Sequence, residues 1–145
     1  MIKERFKSII CADIMLKKIV DGKQYILLMK RKNTGSNDGE YELPGGHLEI
    51  NEDIFDAMIR EAKEELLIDL NREDIKLIHL LHHYTGERLN FIFEADGTDL
   101  NPKIGEKNKC SELIWVNIES LPIETTSKVK KIIDNILKDK FYDKL

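Results

Sequence analysis

Apolar residues along this chain come in short runs broken by turn residues, except in two stretches where they recur every three or four positions. Residues 6–16 and 25–29 are rich in Ile and Leu and are separated by the turn pair Asp21-Gly22, which predicts two buried strands. A polar, glycine-containing loop follows over 33–39, and a brief strand at 41–43 leads through Pro44-Gly45-Gly46. Ile54, Phe55, Met58, Ala62 and Leu66 then share one face of a helix, so that face is expected to be buried. Two further strands, 75–83 and 89–93, are joined as a hairpin around Thr85-Gly86, with Leu89, Phe91 and Phe93 on one side. After a loop over 95–109 comes a last strand at 113–116. Val129, Ile132, Ile133, Ile136 and Leu137 mark one face of a closing helix that starts near Thr125 or Thr126. Strands on both sides of one helix, with another helix at the end, predict an α/β fold in which a mixed sheet lies between helices.

Composition narrows this reading. The 145 residues are 41% hydrophobic, enough for one core, and no repeat, low-complexity tract or linker divides them, so residues 1–145 read as one domain. A net charge of -4 argues against a stable nucleic-acid complex or an anionic membrane, both of which reward a basic surface. Any nucleotide ligand would need local cations. Cys11 and Cys110 are too few for a disulfide framework and form no Cys-x-x-Cys pair. The apolar run near the start is interrupted by Asp13 and lacks a cleavage site, and no run is long enough to span a membrane, so the cytoplasm is the expected location. A monomer and a homodimer are equally compatible with the sequence.

The chemistry concentrates on the polar side of the first helix. Glu61, Glu64 and Glu65 are three and four residues apart and project into one patch. Like charges at that spacing destabilise a helix by roughly 0.2–0.5 kcal/mol per pair, so the patch either holds a cation or is merely solvated. Carboxylate oxygens are hard ligands and suit Mg2+, or else Mn2+. Arg60 is placed to orient these carboxylates, and Glu52 stands at the helix entrance, where it can cap backbone N–H groups or reach Arg60. His82 and His83 read as strand surface and partial core. Trp115 reads as core, and Lys128, Lys130 and Lys131, offset by Asp134 and Asp139, read as a solvated helix face.

These residues also follow a spaced pattern: Gly46, five residues, Glu52, seven residues, Arg60-Glu61, two residues, Glu64-Glu65, behind Leu43-Pro44-Gly45. The pattern resembles the signature of the Nudix hydrolases, the MutT-like pyrophosphohydrolases. The resemblance implies the Nudix α/β/α sandwich and metal-dependent hydrolysis of a pyrophosphate bridge, with Mg2+ or Mn2+ as cofactor and a nucleotide-type small molecule as substrate. It maps metal contacts onto Glu61, Glu64, Glu65 and the carbonyl of Gly45. Gly46, Glu52 and Arg60 become supports of the site. Catalytic roles fall to Glu64 and Glu65, and to a glutamate outside the signature, for which Glu106 is the choice and Glu112 the runner-up. His47, Tyr84 and Phe91 are the expected substrate contacts. Tyr84 lies sixteen residues beyond Ile68, a placement similar to dinucleoside polyphosphate hydrolases, whereas the proline of ADP-ribose hydrolases is missing. Nucleoside triphosphates lead as the substrate class, and a non-catalytic nucleotide sensor is the alternative. The signature's usual glycine is replaced by Leu67, which predicts that the helix runs on toward Asp69 or Asn71 instead of ending in a left-handed residue.

Overall fold

The hydrophobic alternation of the first strand decides the architecture. In β1 (Ile9–Val20), Ala12, Ile14 and Leu16 point to one side and Met15 to the other, and none has exposed surface. A strand buried on both faces must lie between two layers. The computed structural model, which describes residues 2–145, shows those layers. One is α1 (Ile54–Leu66), whose Ala57, Met58, Ala62 and Leu66 pack on Ala12, Ile14, Leu16 and Phe93. The other is α2 (Ser127–Leu137), whose Val129, Ile132 and Ile133 pack on Met15, Ile26, Leu28, Leu81 and Ile92. The sheet between them is mixed, so the predicted α/β sandwich is the fold observed.

The remaining strands are β2 (Lys23–Arg31), β3 (Tyr41–Glu42), β4 (Gly45–His47), β5 (Lys76–His83), β6 (Arg88–Asp96), β7 (Cys110–Asn117) and β8 (Tyr142–Lys144). Along the sheet the order is β3-β2-β1-β6-β5-β8, with β4 also on β1 and β7 also on β2. β1 pairs parallel to β6, and β5 parallel to β8; the other pairings are antiparallel. The β1–β2 hairpin is paired only near its turn, from Lys17 opposite Ile26 to Val20 opposite Lys23. Beyond that the two strands splay, and the gap is filled from both sides. β3 pairs with Met29 and Lys30 of β2, while β4 pairs with Cys11, Ala12 and Asp13 of β1. The Pro44-Gly45-Gly46 segment is thereby held inside the sheet rather than above it.

Three expectations are corrected. β1 starts at Ile9, not at residue 6; Phe6 is exposed, as are the other described residues before Ile9. Helix α1 does not run on toward Asp69. It ends at Leu66, and Leu67 adopts a left-handed conformation (φ 55°) with its N–H donating to the Lys63 carbonyl. Stopping there lets Ile68 and Leu70 turn back into the core, which offsets the roughly 1 kcal/mol of strain in a non-glycine residue. Lys128 is not on a solvated face: it leans over the sheet and pairs with the buried Glu42 at 3.4 Å. The C-terminal strand β8 is unforeseen, being three residues long with two of them, Asp143 and Lys144, charged. Among the described residues no helix is long and apolar enough to cross a membrane.

Candidate active site

Asp53 sets the frame of the site by capping α1. Its side chain accepts from the N–H of Asp56, and the Asp56 carboxylate accepts in return from the N–H of Asp53. Glu52 is thus free of capping and turns to Arg60, which it binds through both oxygens, at 2.7 Å and 3.1 Å. The Arg60 fork continues to the carbonyl of His47 at 2.9 Å, to Glu61 at 2.9 Å and to Glu64 at 3.3 Å. One guanidinium therefore ties the loop before the helix to the helix and to β4. These hydrogen bonds, that to Glu52 first, hold the Arg60 pKa above its ordinary value, while Glu52 is held below its own by the same pair.

The glycines explain how the carboxylates come so close to backbone. A Cβ on Gly46 would overlap the carboxylate of Glu61, and one on Gly45 would overlap the Ala12 carbonyl oxygen and crowd Asp13. Neither has a left-handed backbone, so the requirement is space. The N–H of Gly45 donates to Glu65 at 3.1 Å. Glu61 is buried and Glu65 half-buried, whereas Glu64 is exposed. Burial, then the charge of Glu61, pushes the Glu65 carboxyl up to about 8, with Glu106 adding to the push and the Gly45 N–H opposing it. Burial also raises Glu61, against the pull of Arg60.

These groups line a cleft of about 700 Å3 together with Met29, Arg31, Asn33, Thr34, His47, Glu49, Glu106 and Lys109. Glu106 comes from the loop after β6 and pairs with Lys109 at 3.4 Å. Of the sequence-derived residues, Gly45, Gly46, His47, Arg60, Glu61, Glu64, Glu65 and Glu106 thus meet around one cavity, with Glu52 behind Arg60. Tyr84 and Phe91 do not line it. Tyr84 projects at the β5–β6 turn beneath Lys144, and Phe91 packs against the core under α1. Glu112 is not in the cleft either, since its carboxylate accepts from the Tyr41 hydroxyl at 2.9 Å. Sequence reasoning missed Arg31, Asn33, Thr34 and Lys109. Only Lys109, three residues past Glu106, carried a local signal.

Among the described residues no three His, Cys, Asp or Glu side chains form a ready-made chelating cage. Arg60 draws Glu61 and Glu64 toward itself, and the Gly45 N–H holds Glu65. The donor set nevertheless fits a hard divalent cation. It is all oxygen, with the carboxylates of Glu61, Glu64, Glu65 and Glu106 lining one cleft.

The model of the NUDIX domain matches residues 14–136, and the chain belongs to the Nudix family. It is a pyrophosphohydrolase of that family, an enzyme that hydrolyses pyrophosphate bonds in nucleotide-linked compounds; such hydrolases generally use divalent metals. A MutT NUDIX hydrolase from Burkholderia pseudomallei is similar at 26% identity and a TM-score of 0.73, covering 88% of this chain and 97% of its own. A MutT protein from Methanosarcina mazei Go1 shares the fold at 18% identity and a TM-score of 0.71, over 94% of this chain and 98% of its own. So does the NUDIX domain of Shewanella oneidensis NrtR complexed with ADP ribose, at 16% identity and a TM-score of 0.70, over 90% and 87%.

Proposed function

We propose that this enzyme hydrolyses a nucleoside triphosphate or a related nucleotide by water attack on a pyrophosphate bridge, using Mg2+ or, in its place, Mn2+. The observation that carries the reading is the meeting of Glu61, Glu64, Glu65 and Glu106 with Gly45, Gly46 and Arg60 around one cleft. Glu61, Glu64, Glu65 and the Gly45 carbonyl would hold the cation. When bound, it supplies positive charge for the diphosphate and lowers the pKa of a water.

The remaining work belongs to the chain's own residues. Arg60 keeps Glu61 and Glu64 in place without entering the reaction. Arg31 and Lys109, brought together by the pairing of β2 with β7, are the cations that an acidic protein needs to receive the phosphates. His47, exposed at the mouth, is placed to meet the substrate as it enters. Glu106 accepts the proton of the attacking water, with Glu65 or Glu64 as the alternative acceptor. Attack beside the nucleoside releases a nucleoside monophosphate and leaves pyrophosphate or a second phosphorylated group. Tyr84 stands outside the cleft and lends no contact to a dinucleoside polyphosphate.

The test is turnover of nucleoside triphosphates, dinucleoside polyphosphates and nucleotide sugars with Mg2+ or Mn2+, for the wild type and Glu65→Gln. Glutamine keeps the shape and removes the charge, so a loss of about 100-fold or more with an unchanged circular dichroism spectrum is expected. Full activity of the variant, or activity that survives chelation, would sink the assignment.

A further inference from the structure

The last carbonyls of a helix lack intrahelical partners, and what satisfies them is fixed to the helix end. At the end of α1 the partner is the loop that carries Glu106. The N–H of Gly105 donates to the Glu65 carbonyl at 2.9 Å, and the N–H of Lys103 donates to the Leu66 carbonyl at 2.8 Å. The residue whose side chain faces the cleft therefore also anchors, through its backbone, the segment opposite. Contact there is too close for any side chain on Gly105: a Cβ would overlap the Glu64 carbonyl oxygen and press on Leu67 Cδ2 at 3.2 Å. The Gly105 backbone is not left-handed, so an L-residue could adopt its conformation. Only the contact forbids one. On the other side of Glu106, its carbonyl accepts from the N–H of Lys109 at 3.0 Å and of Cys110 at 3.1 Å, which turns the chain into β7.

We propose that Gly105 is a positioning residue for the reaction: it lets the 103–110 segment dock on the end of α1, and so fixes Glu106 across the cleft from Glu65. The proposal rests on the reading of Glu106 given above. Glycine is needed here as the absence of a methyl group, not for backbone freedom. An alanine keeps every chemical group of the site yet pushes the loop off the helix, taking Glu106 with it. A misplacement of about 1 Å in a catalytic group can cost about 100-fold in rate.

Three variants test this: Gly105→Ala, Glu106→Gln and the double substitution, each assayed for kcat, KM and Tm on the best-turned-over nucleotide with Mg2+. Gly105→Ala is expected to lower kcat by about 100-fold with little change in KM, and the double variant to be no slower than Glu106→Gln alone, because both act through one group. Wild-type kcat in Gly105→Ala overturns the positioning role, as does a double-variant loss equal to the product of the two single losses. Wild-type activity in Glu106→Gln removes the reading of Glu106 itself, a distinct result. Should Gly105→Ala not fold, hydrogen exchange of the wild type decides: the Gly105 and Lys103 amides are expected to exchange as slowly as the amides of α1. Exchange at free-loop rates overturns the docking.

Discussion

Arg60 joins more of the site than any carboxylate does, because its planar fork reaches Glu52, Glu61, Glu64 and the His47 carbonyl together. A lysine keeps the charge and loses the fork. Arg60→Lys should therefore lower kcat about tenfold or more while the metal requirement persists; a variant with wild-type kcat would show that charge alone suffices. Leu67 tests the one departure from the usual pattern. Its left-handed backbone costs about 1 kcal/mol that glycine would not bear, partly offset by the greater freedom of an unfolded glycine. Leu67→Gly should be more stable by about 0.5 kcal/mol in urea denaturation, and a loss of stability would mean that the side chain's contact with the Gly105 loop matters more. At this scale the sequence was legible wherever residues shared one helix. Glu61, Glu64, Glu65 and Arg60 were found by spacing, whereas Arg31 and Lys109 belong to segments brought together only by the pairing of β2 with β7.

Elements with strong periodicity were read well for the same reason. The apolar stripe of α1 and that of α2 lie in or against the core, except for the exposed Leu137 at the end of α2, and both helices start at a side-chain cap. The errors fall where tertiary contacts override local pattern. β8 exists because it lies parallel to β5 and Asp143 accepts from Asn135, not because Tyr-Asp-Lys favours a strand. The end of α1 is set by the burial of Ile68 and Leu70. The cap of α2 offers a control outside the lining of the cleft: the Thr126 hydroxyl accepts from the N–H of Val129 at 3.4 Å. Thr126→Ala should cost about 1 kcal/mol of stability and leave kcat unchanged, in contrast to the Arg60 variant. A drop in kcat would tie α2 to the site.

For the molecule as a whole, His79 is one contributor to the pH dependence of stability. It is fully buried, its Nδ1 lies 2.8 Å from the Lys140 carbonyl, and its Nε2 has no partner. Burial depresses its pKa below the ordinary 6.5, with the Lys140 carbonyl and Asp143 opposing. Below pH 6.5 the unfolded chain therefore takes up a proton that the folded chain refuses, and stability falls as pH falls. His79→Leu should remove that component, so that its Tm gains on the wild type between about pH 7.5 and 5.5. A constant difference across that range would assign the wild-type slope to other groups.

The splayed β1–β2 hairpin has a consequence for how the enzyme comes into being. Gly45 and Gly46 are laddered onto Asp13 and Ala12, which are laddered in turn onto Ile92 and Phe91. The floor of the cleft thus joins three stretches of chain far apart in sequence, one of them in a parallel pairing, and such pairings close slowly. A nascent chain ending before β6 already carries the whole Gly46–Glu65 motif and can form its helix, but β1 then lacks its parallel neighbour. The enzyme should accordingly gain its fold early in refolding, by far-ultraviolet signal, and its activity in a later phase.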